Sequence, residues 1–242
     1  MAEKVLEATR EYNTAFRDRL GLADKPLPEA ASRGKIADLP EEGTSRPDGG
    51  LAWSPAWFDF LQAECPDTVN PSLWRHAQLN AISGLFEVAQ DVWQVRAADY
   101  ANMTIIAGKT GWIIVDPLLT RETAQASLKL VNDTLGFRPV SAVLVTHTHA
   151  DHFGGLGGVV AEGDDTPIYV PEHFMDYAGS EGVLGGNHTS RRAVDQFGLA
   201  LPMGPEGLVD GGIGKTVARG YRGFRQPTHE IGDSDEIGRA HV

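Results

Sequence analysis

Apolar and polar positions change rhythm twice along this chain. From residue 2 to 20, Val5, Leu6, Tyr12, Phe16 and Leu20 follow a helical pattern that stops at Gly21. Residues 22–50 turn to Pro, Gly, Glu and Asp, which reads as an extended arm rather than core. Helical character returns near residues 56–63 and over 71–82, where Asn70 suits the N-cap and Pro71 the first turn. The period then shortens to that of strands. Residues 85–88, 92–96, 102–107 and 112–115 are short β-rich runs, parted by turn signals at Gln90-Asp91, Ala98-Asp99 and residues 108–111. A helix is predicted over 121–135, with Thr120 as N-cap and Gly136 just past its end. Strands at 140–145 and 167–170 and a helix over 172–177 follow. Residues 179–223 are glycine-rich and irregular, which predicts loops around a site. Small strands first, then strand–helix alternation, predict an α/β (α+β) sandwich with its site at the strand ends.

The strand at 140–145 runs into Thr146-His147-Thr148-His149-Ala150-Asp151-His152-Phe153-Gly154-Gly155. Eight histidines are spread over 242 residues, and three of them fall in this short window beside a carboxylate. Neutral imidazole and carboxylate are ligands for zinc and similar divalent cations. A strand ending in close-set ligands can aim alternate side chains at two points, which suits two metals sharing a water. The glycine pair is expected to let the chain turn sharply after them. Asp116, at the end of the preceding apolar strand, is expected to accept an N–H from a ligand imidazole and fix its tautomer.

Composition narrows the partners. A net charge of −12 argues against nucleic acid and requires local positive charge, from metals or arginines, for any anionic substrate. Arg191 and Arg192 are the candidates to hold such an anion, because guanidinium binds tetrahedral oxyanions well. Cys65 stands alone, so a reduced, partly buried thiol is expected. The first 20 residues lack an apolar signal region and no stretch is long enough to span a bilayer, making the cytoplasm the expected location.

These residues resemble the metallo-β-lactamase superfamily through the His-x-His-x-Asp-His loop and Val115-Asp116-Pro117. More narrowly, the chain is similar to the zinc-dependent alkyl sulfatases through Asn70-Pro71-Ser72-Leu73-Trp74-Arg75, Asn102-Met103-Thr104, Ser190-Arg191-Arg192-Ala193 and Gly212-Ile213-Gly214-Lys215-Thr216. The resemblance covers roughly residues 54–230. It implies an αββα sandwich and two zinc ions (Zn2+), His147 and His149 on one and Asp151 and His152 on the other. It also implies hydrolysis of an alkyl sulfate to an alcohol and inorganic sulfate. Other hydrolases of the same scaffold, such as thioesterases and lactonases, and a non-catalytic metal-binding fragment are the alternatives.

Two zincs need about four ligands each, counting water, and the loop offers four side chains in all. The family's further glutamates and histidine have no matching motifs here, nor do its helical dimerisation region and C-terminal domain. The resemblance therefore implies the first part of a longer, homodimeric protein. Residues 1–53 are expected to form the helix and arm, 54–236 an incomplete metallo-β-lactamase-like domain, and 237–242 a non-native tail. His229 is not expected to be a ligand, because its surroundings resemble a segment preceding a glutamate ligand. Lys215 superficially suggests a phosphate-binding loop, but Val209 stands where that pattern needs glycine.

Overall fold

A computed structural model describes residues 5–20 and 26–233 of the chain. Helices α1 (Glu7–Arg19) and α2 (Pro26–Ser32) precede a short strand, β1 (Lys35–Ala37), and a hairpin of β2 (Thr44–Ser45) and β3 (Leu51–Trp53). A 3-10 helix (Pro55–Gln62) and α3 (Pro71–Asn80) lead into β4 (Gly84–Ala89), β5 (Val92–Arg96), β6 (Met103–Ala107) and β7 (Trp112–Val115). Strand and helix then alternate through α4 (Arg121–Leu135), β8 (Val140–Leu144), the short helices α5 (Ala150–Phe153) and α6 (Leu156–Val159), and β9 (Ile168–Pro171). The remainder comprises α7 (Phe174–Gly179), a π-helical turn (Ser180–Leu184), α8 (Gly186–Gln196) and a long connection to β10 (His229–Ile231).

Eight strands form one sheet in the order β1-β4-β5-β6-β7-β8-β9-β10. Neighbours are antiparallel from β1 to β7 and parallel from β7 to β10. The connections explain the change. Short turns return each of β4 to β7 beside the last, whereas α4 carries the chain across so that β7 and β8 run the same way. Burial obeys the same logic. On β5 and β6, Val95, Met103 and Ile105 are buried, while Gln94 and Thr104 share the opposite face and hydrogen-bond at 3.2 Å. On β7 and β8 the burial is continuous through Trp112, Ile113 and Ile114 and through Ala142 and Val143, as parallel strands covered on both sides require.

The main core lies where α4 and α6 cover the sheet, with Ala124, Val131 and Leu156 packed against Trp112, Ile114 and Val143. The sequence-predicted caps are in place. Thr120 Oγ1 accepts from Thr123 N at 3.3 Å, Gly136 has φ of +95°, and Asn70 Oδ1 accepts from Ser72 N at 2.9 Å. A second cluster joins Trp53, Phe58, Leu61, Trp74 and Ala77 to Val209 and Ala218. At its edge Lys215 is buried, with Nζ 2.9 Å from Asp210 Oδ2, donating to the Ala77 carbonyl at 3.0 Å and lying over the Phe58 ring. Lys215 thus fastens the strandless 209–216 segment to α3 and holds no phosphate loop.

Three expectations change. The arm expected over 22–50 contributes α2, an edge strand paired with β4 and half a hairpin. Strands of two or three residues are too short for any period to show through the Gly, Pro and Asp around them. The irregular stretch from 179 contains a π-helical turn and the three-turn helix α8, which buries no residue and so offers no apolar stripe. The residues after His149, read as loop, form α5 and α6. The predicted tail at 237–242 and the first residues of the N-terminal helix lie outside the described residues. Among the described residues no helix is long and apolar enough to cross a membrane.

Candidate metal centre

The parallel strands β7 and β8 deliver the site. Asp116 follows β7 and the histidine loop follows β8, so both stand at the carboxyl ends of parallel strands, where open α/β sheets bind their ligands. Here the backbone is strained. Asp116 has φ of +55° and Leu118 of +65°, an uncommon region for residues with a side chain. The surroundings hold it there. Leu118 N donates to the Asp116 carbonyl at 2.8 Å, Gly155 N to the Leu118 carbonyl at 2.9 Å, and the Leu118 side chain is fully buried.

Gly154 and Gly155 have a purpose other than the expected sharp turn. Their φ values are −61° and −89°, open to any residue. What they provide is proximity: a Cβ on Gly154 would strike the Leu119 carbonyl oxygen, and one on Gly155 the Pro117 carbonyl oxygen. The glycines let the start of the helical segment lie flush on the 116–120 turn, which brings the loop's side chains beside Asp116.

The side chains converge. The His147 ring centroid lies 4.1 Å from that of His152 and 4.7 Å from that of His149. Asp116 Oδ1 accepts from Thr146 N at 2.8 Å, and Asp116 Oδ2 accepts from Thr146 Oγ1 at 2.7 Å and lies 2.9 Å from His152 Nδ1. Thr146 Oγ1 is also 3.0 Å from His147 Nδ1. On its other side, His152 Nε2 is 3.3 Å from Asp151 Oδ2. His149 Nε2 is 4.0 Å from Glu181 Oε1 on the π-helical turn.

The charges follow from this crowding. Burial, with His152 and His149 alongside, holds the His147 imidazole below its usual pKa and so favours the neutral, ligating form. Burial works the same way on His152, but hydrogen bonds and charge from Asp116 and Asp151 outweigh it and push that imidazole up to about 9. Asp151 is opposed by burial too, yet the His152 partner holds it below the usual carboxylate range.

Sequence reasoning missed the support behind the turn. Asp99, read only as a turn signal, is buried and gathers Thr123 Oγ1 at 2.5 Å, Tyr100 N at 2.6 Å and Leu119 N at 3.3 Å. Burial pushes its carboxyl up to about 6 despite those donors. It ties the N-terminus of α4 to the strained turn. The nearest signal in the sequence was an aspartate just before a β-run, which surface turns also show. Glu122 does similar work, accepting Tyr221 N at 2.8 Å from a buried position.

Other candidates stand apart from the cluster. Arg191 and Arg192 lie on α8, exposed, and neither makes an ion pair among the described residues. His229 stacks on Tyr169 at 4.7 Å across paired β9 and β10. His173 is exposed, with left-handed φ, in front of α7, and His188 is exposed on α8. His76 Nε2 lies 2.6 Å from the Gly212 carbonyl. Cys65 is a free, half-buried thiol whose pKa burial raises.

Among the described residues no three His, Cys, Asp or Glu groups form a ready-made ligand shell. The donor set nevertheless fits a divalent cation as part of a larger shell. Three imidazoles crowd together, and His147 and His152 each have Nδ1 engaged by a neighbour, which leaves Nε2 for a metal. A profile of the metallo-beta-lactamase superfamily matches residues 96–239, more than half the chain and all of this site.

The chain belongs to the metallo-β-lactamase superfamily.

Within that superfamily its similarities are specific. It is 43% identical over 232 residues to the alkyl/aryl-sulfatase BDS1 of Saccharomyces cerevisiae, covering 94% of this chain and 36% of that protein. It is 41% identical over 247 residues to a linear primary-alkylsulfatase of a Pseudomonas species, covering 100% and 36%. The solved structure of a stereoselective inverting sec-alkylsulfatase, Pisa1 from Pseudomonas, superposes with a TM-score of 0.90 at 37% identity, over 99% of this chain and 39% of that one. The chain thus spans little more than a third of the length of these relatives. The mixed α/β class expected from the sequence agrees with the large sheet and with that superposition.

Proposed function

We propose that this chain carries the metal-binding portion of an alkyl sulfate ester hydrolase. One observation carries the reading: three imidazoles and two carboxylates converge at the ends of β7 and β8, in a chain 43% and 41% identical to two alkylsulfatases along nearly its whole length. His147 and His149 would hold one Zn2+, and Asp151 and His152 a second. When bound, such a pair supplies Lewis acidity, lowering the pKa of a water and offsetting sulfate charge.

The protein's own groups set this up. Asp116, fixed by two bonds from Thr146, accepts the His152 Nδ1–H hydrogen bond and so turns Nε2 towards Asp151. Water polarised at the site is the proposed attacking group. Arg191 and Arg192, exposed and unpaired among the described residues, are proposed to approach the sulfate.

The test is metal content together with sulfate release from dodecyl sulfate. The 242-residue chain, with four ligands for two ions, is expected to hold about one weakly bound zinc and to turn nothing over. A gene product of the relatives' length is expected to hold two and to release sulfate. If that longer protein prefers thioesters or lactones, the substrate class is wrong; if it carries no transition metal, the reading fails entirely. The second reading is a metal-binding unit without catalysis; among the described residues no three His, Cys, Asp or Glu groups form a ready-made shell. Metal retention by the longer protein without hydrolysis of any ester would establish it.

A further inference from the structure

We propose that Glu181 positions His149, as Asp116 does His152. The inference rests on the metal-site reading above and adds a residue to it. An imidazole that ligates a metal through one nitrogen almost always donates its other N–H to an oxygen, which fixes tautomer and ring orientation. In this loop His152 has Asp116 at 2.9 Å and His147 has Thr146 Oγ1 at 3.0 Å. His149 has neither, and Glu181 Oε1, 4.0 Å from its Nε2, is its ionic neighbour among the described residues.

That separation is too long for a hydrogen bond and short enough to close. Both side chains are free to move, the His149 side chain being 63% and that of Glu181 43% exposed. The backbone beneath Glu181 is compliant as well. It lies in a π-helical turn that contains Gly182 and is flanked by Gly179 and by Gly185-Gly186; a Cβ at Gly179, Gly182 or Gly186 would meet nothing within 4 Å, and one at Gly185 only ordinary contacts from 3.4 Å. Packing therefore does not account for those glycines. Single π-helical turns recur at functional sites, where they aim a side chain that a regular helix would turn away. With Nε2–H given to Glu181, His149 keeps Nδ1 for the metal, whereas His147 and His152 present Nε2.

The test compares E181A and E181Q with the wild-type 242-residue chain, using zinc with a competing chelator and 15N-histidine NMR of the zinc-loaded protein. E181A is expected to weaken zinc binding by ~10–100-fold and to lose the His149 Nε2–H resonance to solvent exchange. E181Q, whose amide oxygen still accepts, should restore both in large part. A merely structural role would not move that resonance. Zinc affinity in E181A within about threefold of wild type, or an unchanged His149 resonance, overturns the inference while leaving the metal site standing. A wild-type chain that binds no zinc at all sinks the metal-site reading and this inference with it.

Discussion

Two walls flank the histidine loop, and they are built on opposite principles. The wall formed by the 116–120 turn, the start of α4 and Asp99 is welded to the core: Asp99, Thr120 and Thr123 are buried and hydrogen-bonded together, and Gly154 and Gly155 let backbone lie against backbone. The wall formed by the π-helical turn and α8 is surface, with Val183 and Leu184 about four-fifths exposed and a Cβ at Gly179, Gly182 or Gly186 meeting nothing within 4 Å. Precision in a site comes from groups whose own rotamers are locked, so the first wall sets the geometry of Asp116 and His152. The second can adapt, which suits residues that close on a ligand after it arrives.

The sharpest way to break this contrast is to add a methyl group to each wall. G155A is expected to cost about 3 kcal/mol or more, because the new Cβ meets the Pro117 carbonyl with no flexible side chain to yield. G182A should shift the urea midpoint little in either direction, within about 0.5 kcal/mol. Equal effects would dissolve the distinction. A comparable cost is expected for K215M, about 3 kcal/mol, since Asp210 would be left charged and fully buried. Near-neutral behaviour there would mean that the 209–216 segment is held by its apolar contacts alone.

The pH dependence probes the rigid wall without mutation. His152 has its folded pKa raised from 6.5 to about 9, so its contribution is complete below pH 6.5 and is lost as pH rises through about 9. Metal-free chain should therefore be less stable at pH 9 than at pH 6, by ~2 kcal/mol once partial exposure is allowed for. Asp99, raised from 3.8 to about 6, acts in the same sense in a lower window: its contribution is present below pH 3.8 and lost by about pH 6. Added zinc must displace the His152 proton, so its affinity should rise with pH over the same range. Urea titrations with and without zinc read both slopes, and a metal-free stability that climbs from pH 6 to 9 would contradict the His152 pairing.

The smallest expected effect lies on the adaptable wall. R191A and R192A should leave stability within about 0.5 kcal/mol. If either arginine meets the sulfate, the relevant variant of the longer protein should show a raised KM for dodecyl sulfate. No change in either constant would remove these arginines from the site.

Much of this was legible in the residue order. The caps at Asn70, Thr120 and Gly136, the strands from 85 to 145 and the clustering of histidines after 145 all depend on local chemistry, which neighbours in sequence report directly. Strands of two or three residues in the N-terminal arm were not legible, because pairing with β4 and with β3 creates them and no period that short stands out. Helix α8 escaped notice for a related reason: none of its residues is buried, and its few apolar positions show no stripe.

By itself, then, the sequence determined which residues could grip a cation and on which element they would ride, since ligand chemistry and strand periodicity are properties of the residues alone. Only the tertiary structure decided what stands behind them. Asp99 gathering donors from Leu119 and Thr123, Gly155 lying against Pro117, and Glu181 reaching towards His149 all join residues distant in sequence. Such contacts exist only once the sheet, α4 and the π-helical turn are packed, and a linear pattern of polar and apolar positions does not record them.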